Sequence, residues 1–237
     1  MLSKLILAGL TLLLVLTGSA FEAQAQKNNV AKGQHKPRVI VMGMDATGSY
    51  AIWEQAKAIA IRVIYHLQPG DILYLRKITD KSYSHSCHVL RLELPGRDAP
   101  DHHNPFDRRA KRERKAAIVE NLSRKKAAIE MVKALRSANA PHTDILGFLA
   151  VATEKFEVTG QGFDKFVVMA TDLQDNVNYQ PELNLAGAHT AVLGFQPMAD
   201  PAATRKFKTQ WSEYLKKAGA SRTTFLRAEE PFNLNDL

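Results

Sequence analysis

Four short, nearly unbroken apolar runs, each closing on a polar turn, constrain this chain more than any other feature: residues 39–44, 72–75, 166–170 and 190–195. Runs of that length suit strands buried on both faces, whereas a half-exposed strand would alternate. Between them, apolar residues return at helical spacing. Ile52, Ala56, Ile59, Ala60, Val63 and Leu67 do so before Pro69 and Gly70, and Ile145, Leu149, Ala152 and Phe156 after Thr143. Phe207, Trp211, Tyr214 and Leu215 mark another helix before a last strand at 223–226. Strands alternating with helices predict an α/β fold, a three-layer, doubly wound, mostly parallel sheet.

Two segments refine that expectation. Leu90, Leu92 and Leu94 alternate with Arg91 and Glu93, the pattern of a half-exposed strand. The link 79–86 is shorter than the dozen residues a parallel crossover needs, so this strand should form an antiparallel hairpin at the sheet edge. From 107 to 137 the spacing predicts one long helix with Ile118, Leu122, Ile129, Val132 and Leu135 on its inward face.

Composition bounds the rest. With 45% hydrophobic and 24% charged residues in 237, the chain reads as globular, which excludes a disordered tail or a fibre. Lys4, the apolar stretch 5–16 and the small residues through Ala23 and Ala25 have the layout of a secretory signal, with cleavage expected after Ala25 and a periplasmic or secreted product. That stretch falls short of the ~20 apolar residues that span a bilayer, and no later segment is apolar enough to be a transmembrane segment. The expected division is a signal peptide over 1–25, a flexible polar leader over 26–37 and one domain over 38–237. Cys87 is the only cysteine, so no intramolecular disulfide can form and the core must hold the fold alone.

In a doubly wound sheet, ligands bind beyond the carboxyl ends of the strands. The loop after the first strand reads Asp45-Ala46-Thr47-Gly48-Ser49-Tyr50, a carboxylate and two hydroxyls at alternate positions. The loop after 166–170 carries Asp172, and Thr143 precedes a helix. If the first and fourth strands are neighbours, Asp45 and Asp172 converge. Each of these residue types also serves alone as a helix cap. Together they offer only hard oxygen donors, which suit Mg²⁺ or Mn²⁺.

The set Asp45-x-Thr47-x-Ser49, Thr143 and Asp172, in that order, resembles the metal-ion-dependent adhesion site (MIDAS) of a von Willebrand factor type A (vWA) domain, over roughly residues 38–228. The resemblance implies strand order 3-2-1-4-5-6 with strand 3 an antiparallel edge. It implies a Mg²⁺ or Mn²⁺ held by Asp45, Thr47, Ser49, Thr143 and Asp172, with a partner's Asp or Glu as the remaining ligand. Thr47 stands where Ser is commoner in that family, and Tyr50 where a smaller residue is.

Other chemistries fit less well. Asp45 is followed by Ala46 where an aspartic protease needs Thr-Gly, and Thr47 stands where a haloacid-dehalogenase-type phosphatase needs a second Asp. Neither a phosphate loop nor a Gly-x-Ser-x-Gly elbow occurs. A metal-dependent hydrolase using the same loops stays open, with His142 and Asp175 as the acid–base groups within reach. His85, Cys87, His88, His102 and His103 lack the paired spacing of a zinc site.

Charge is concentrated: nine basic residues (Arg108, Arg109, Lys111, Arg112, Arg114, Lys115, Arg124, Lys125, Lys126) oppose Asp107, Glu113 and Glu120 over 107–126, giving +6 of the chain's net +8. Segment 108–126 therefore suits an anionic partner or a solvated helix face. An exported protein seldom meets nucleic acid, and no aromatic residues interleave to stack on bases. The reading from sequence is an exported, non-enzymatic domain that binds a protein partner through Mg²⁺. The hydrolase and the anionic-surface binder are its alternatives.

Overall fold

In the computed structural model, residues 35–48, 53–96, 108–177 and 179–234 are described, those at 108 and 110 by backbone only. The signal peptide, most of the leader, Ser49, Tyr50, His102, His103 and Asp107 lie outside the described residues.

Six strands form one sheet in the order β3-β2-β1-β4-β5-β6: β1 (Arg38–Asp45), β2 (Ile72–Ile78), β3 (His88–Glu93), β4 (Asp164–Ala170), β5 (His189–Leu193) and β6 (Arg222–Leu226). β3 runs antiparallel to β2, and every other pairing is parallel. This is the order and orientation that the type A resemblance implies. Every residue of β1 is buried, as its apolar run predicts for a central strand covered on both faces. β2 extends three residues past the apolar run because Arg76 is buried too, its guanidinium donating to the Ser82 and Ser84 carbonyls at 2.9 and 2.6 Å.

Among the described residues four α-helices cover the sheet: α1 (Trp53–His66), α2 (Arg108–Ala134), α3 (Ile145–Thr159) and α4 (Pro201–Lys217). Ile40, Met42 and Met44 of β1 pack with α1 and α2, whereas Val39 and Val41 pack with α3 and α4. The alternation of side chains along a strand thus divides one apolar run between two cores. Gly43 marks a close approach, since a Cβ there would lie 2.7 Å from Ile78 and 3.0 Å from Phe148 of α3. Phe148 is fully buried against this strand, and truncating such a ring to Ala removes about 3–5 kcal/mol.

The caps follow the sequence. Asp200 accepts from the amides of Ala202 and Ala203 at the start of α4, with Pro201 in the first turn and Lys216 and Lys217 in the last. Asp144 caps α3 by accepting from Gly147 N at 2.7 Å.

One expectation fails. Ile118 and Leu122 of α2 are 54% and 61% exposed, and the buried residues of that stretch are Ala117 and Asn121, followed by Ala128, Ile129 and Val132. At about 100° of turn per residue, Ala117, Asn121, Ala128 and Val132 share a face rotated away from Ile118 and Leu122. The spacing led to Ile129 and Val132 but missed that small residues, not large ones, continue the stripe. The described side chains from 109 to 116 are all exposed, so the first turns of α2 are not packed on the sheet.

Candidate metal centre

Parallel pairing of β1 with β4, in register from Arg38↔Asp164 to Met44↔Ala170, brings Asp45 and the loop beginning at Thr171 to the same sheet edge. The first loop is held from both sides. Ala46 N donates to Ile78 O at 3.0 Å, and Thr47 bridges to Ala140, with Gly48 N donating to Ala140 O at 3.1 Å. That bridge draws in the segment carrying Thr143. Its Oγ1 donates to Thr47 Oγ1 at 3.0 Å, and both threonines are buried.

Asp45 has no exposed surface and, among the described residues, accepts from neutral donors alone: Thr47 N at 3.1 Å and Thr47 Oγ1 at 2.7 Å on Oδ1, and Thr171 Oγ1 at 2.7 Å on Oδ2. Burial pushes its carboxyl above the usual range, against the lowering effect of those hydrogen bonds. Asp172, 7% exposed, is raised first by burial and further by the charge of Asp45, while the hydrogen bond from Gln174 N opposes the rise. Four of the five residues singled out from sequence, Asp45, Thr47, Thr143 and Asp172, therefore gather at one edge. Ser49 lies outside the described residues.

Sequence reasoning missed the supports. Thr171 holds Asp45 from the far side and also accepts from Leu173 N at 3.1 Å. Leu173 takes a left-handed backbone, φ 64°, costing about 1–3 kcal/mol beside Asp172. Asn176 Oδ1 accepts from Thr143 N at 2.6 Å, and Asp175 Oδ1 from Ile145 N at 2.8 Å, so the loop after β4 clamps the segment that carries Thr143. The only sequence signal for this was the density of polar residues from 171 to 176.

Asp45, Asp144, Asp172 and Asp175 are all pushed upward, chiefly by burial. Among the described residues no salt bridge reaches any of the four. A hard divalent ion fits these donors, because two buried carboxylates with only neutral partners, beside two hydroxyl oxygens, present uncompensated negative charge. No group of three or more His, Cys, Asp or Glu arranged to hold a metal occurs among the described residues. The fit therefore stands on two carboxylates and the hydroxyls. Cys87 is buried, bonded to Thr79 Oγ1 at 3.2 Å, while His85 and His88 are exposed, so these three do not converge as zinc ligands.

The sequence matches no protein-family model and no curated protein. In backbone the chain is similar to an aerotolerance-related membrane protein from Bacteroides fragilis (12% identity, 80% of this chain and 90% of that one, TM-score 0.48). It is also similar to proximal thread matrix protein 1 of the mussel byssus with a zinc-occupied MIDAS motif (12% identity, 84% of this chain and 43% of that one, TM-score 0.48). A third similar structure is a von Willebrand factor type A protein from Catenulispora acidiphila (16% identity, 74% of this chain and 42% of that one, TM-score 0.41).

Proposed function

We propose that this chain is an exported binding domain whose sheet edge holds Mg²⁺ or Mn²⁺ through Asp45, Thr47, Ser49, Thr143 and Asp172, and that it captures a protein partner by an Asp or Glu of that partner. The observation that carries the reading is Asp45: a fully buried carboxylate with three hydrogen bonds, all from neutral groups, beside a second carboxylate that its charge perturbs. A bound divalent ion supplies a Lewis-acidic position that an anionic oxygen can complete. Thr171 fixes the Asp45 carboxylate, Asn176 fixes the Thr143 backbone, and the strained turn at Leu173 sets where Asp172 stands.

The non-enzymatic reading is favoured over a hydrolase by what the acid–base candidates do. Asp175 is engaged in holding the start of α3, and His142 is exposed. Among the described residues no helix is long and apolar enough to cross a membrane. Capture of a partner from envelope extract should disappear in EDTA, return with Mg²⁺ and be absent for Asp45→Ala. Equal capture in EDTA would contradict the reading.

A second reading has its own observation. Ile118, Val119 and Leu122 stand outward on α2, at 54%, 58% and 61% exposure, with exposed Lys111, Arg112, Lys115 and Lys126 on the same helix. An apolar patch accompanied by cations suits an anionic surface. Arg112→Glu with Lys115→Glu should then flatten the salt dependence of binding to vesicles containing phosphatidylglycerol. Unchanged dependence would leave α2 a solvated face.

A further inference from the structure

The loop that carries Asp172 continues to Asp175, where a cavity of about 290 Å³ opens, lined by Leu146, Asp175, Phe207, Gln210, Trp211 and Tyr214. Phe207, Trp211 and Tyr214 are spaced four and three residues apart on α4, so one face of that helix presents all three rings. Trp211 and Tyr214 meet edge to face with centroids 5.8 Å apart. Asp175 is set in place by Ile145 N at 2.8 Å. Burial raises the pKa of the Tyr214 hydroxyl, and the charge of the nearby Asp175 carboxylate raises it further.

None of the six lining residues is basic, although Lys and Arg outnumber Asp and Glu by 32 to 24 in the chain. Lys208 of the same helix lies elsewhere, over the rings of Phe195 and Phe225 at 4.8 and 5.4 Å. Ring faces backed by a carboxylate attract a cation and offer little to an anion. The volume falls at the foot of the ~300–1,000 Å³ range of small-molecule sites, which suits one side chain.

We propose that this cavity receives a lysine or arginine side chain of a protein partner. That this is the same partner whose carboxylate reaches the metal rests on the reading given above. Cavity and metal centre share two loops: Asp175 follows Asp172 by three residues, and Leu146 follows Thr143 by three. At no more than ~3.6 Å per residue, each pair of Cα atoms lies within about 11 Å. An extended partner segment spans that gap with its acidic and basic residues about two to four positions apart.

The test follows the indole N–H resonance of Trp211 in the full chain, assigned with Trp211→Phe, during titration with Nα-acetyl-lysine methylamide. A saturable shift is expected, absent with the uncharged Nε-acetylated analogue. Binding should weaken about tenfold in Asp175→Asn, which keeps an oxygen for Ile145 N but loses the charge. An equal shift with the neutral analogue, wild-type affinity in Asp175→Asn, or no saturation would overturn the proposal. Lysine binding should persist in EDTA and in Asp45→Ala, so a failure of the metal reading leaves this result standing. A capped Glu-Gly-Lys peptide should bind more tightly in Mg²⁺ than in EDTA, and equal binding would detach the cavity from the metal.

Discussion

The two ends of the central strands each bury an aspartate, and they treat it in opposite ways. At the amino end, Asp71 is fully buried and accepts from Arg38 N, Nε and Nη2 and from Gln68 N at 2.7–3.1 Å, with the Arg38 side chain only 4% exposed. At the carboxyl end, Asp45 is equally buried and meets only hydroxyls and an amide. Burial of a carboxylate is tolerated where an opposite charge is built in. Among the described residues no salt bridge reaches Asp45, and the proposed reading puts an ion from outside in that place. The amino end carries its counter-charge within the fold, and the carboxyl end is where the metal site is proposed.

The largest effect expected from this contrast is at the amino end. Asp71→Asn leaves the Arg38 guanidinium buried without its counter-charge and should lower unfolding stability by about 3–5 kcal/mol in urea titration. A loss below ~1 kcal/mol, the scale of an exposed pair, would break the comparison. Next comes the ion itself. At a hundredfold excess over its dissociation constant, Mg²⁺ should raise wild-type stability by about 2.7 kcal/mol, seen as a higher melting temperature, and should leave Asp45→Asn unchanged.

Smaller effects sharpen the contrast. Thr171→Val removes the hydroxyl that holds Asp45 Oδ2, and should weaken Mg²⁺ about tenfold in a competition assay with a fluorescent chelator. The smallest is Asp45→Asn measured in EDTA. Removing a charge that the fold desolvates without compensation should change stability by less than ~1 kcal/mol, or raise it, in the same urea titration that reports the loss for Asp71→Asn.

The sheet was legible because its strands announce themselves locally: an unbroken run for β1 and β4, alternation for β3, and a link too short for a crossover between β2 and β3. That Asp45, Thr47 and Asp172 gather at one sheet edge was legible for a related reason, since each stands at the end of a recognisable strand or just after it, and strand ends are where such sheets bind. What escaped notice depends on contacts distant in sequence. Arg38 and Asp71 are 33 residues apart, and Thr171 and Asp45 are 126 apart. α2 misled for another cause. Its large apolar residues have a helical period, yet the sheet is approached by Ala117 and Ala128, and hydrophobic spacing gives small residues too little weight.

The central claim is the proposed divalent-cation site at Asp45 and Asp172, and calorimetric titration of Mg²⁺ into EDTA-stripped, dialysed protein addresses it most directly. Wild-type protein should show one saturable site. Asp45→Asn, still unfolding cooperatively, should show only the heat of dilution. Wild-type protein with no saturable heat up to ~10 mM Mg²⁺, well above the ~1 mM of weak extracellular Ca²⁺ modules, or a mutant that binds as the wild type does, would contradict the account.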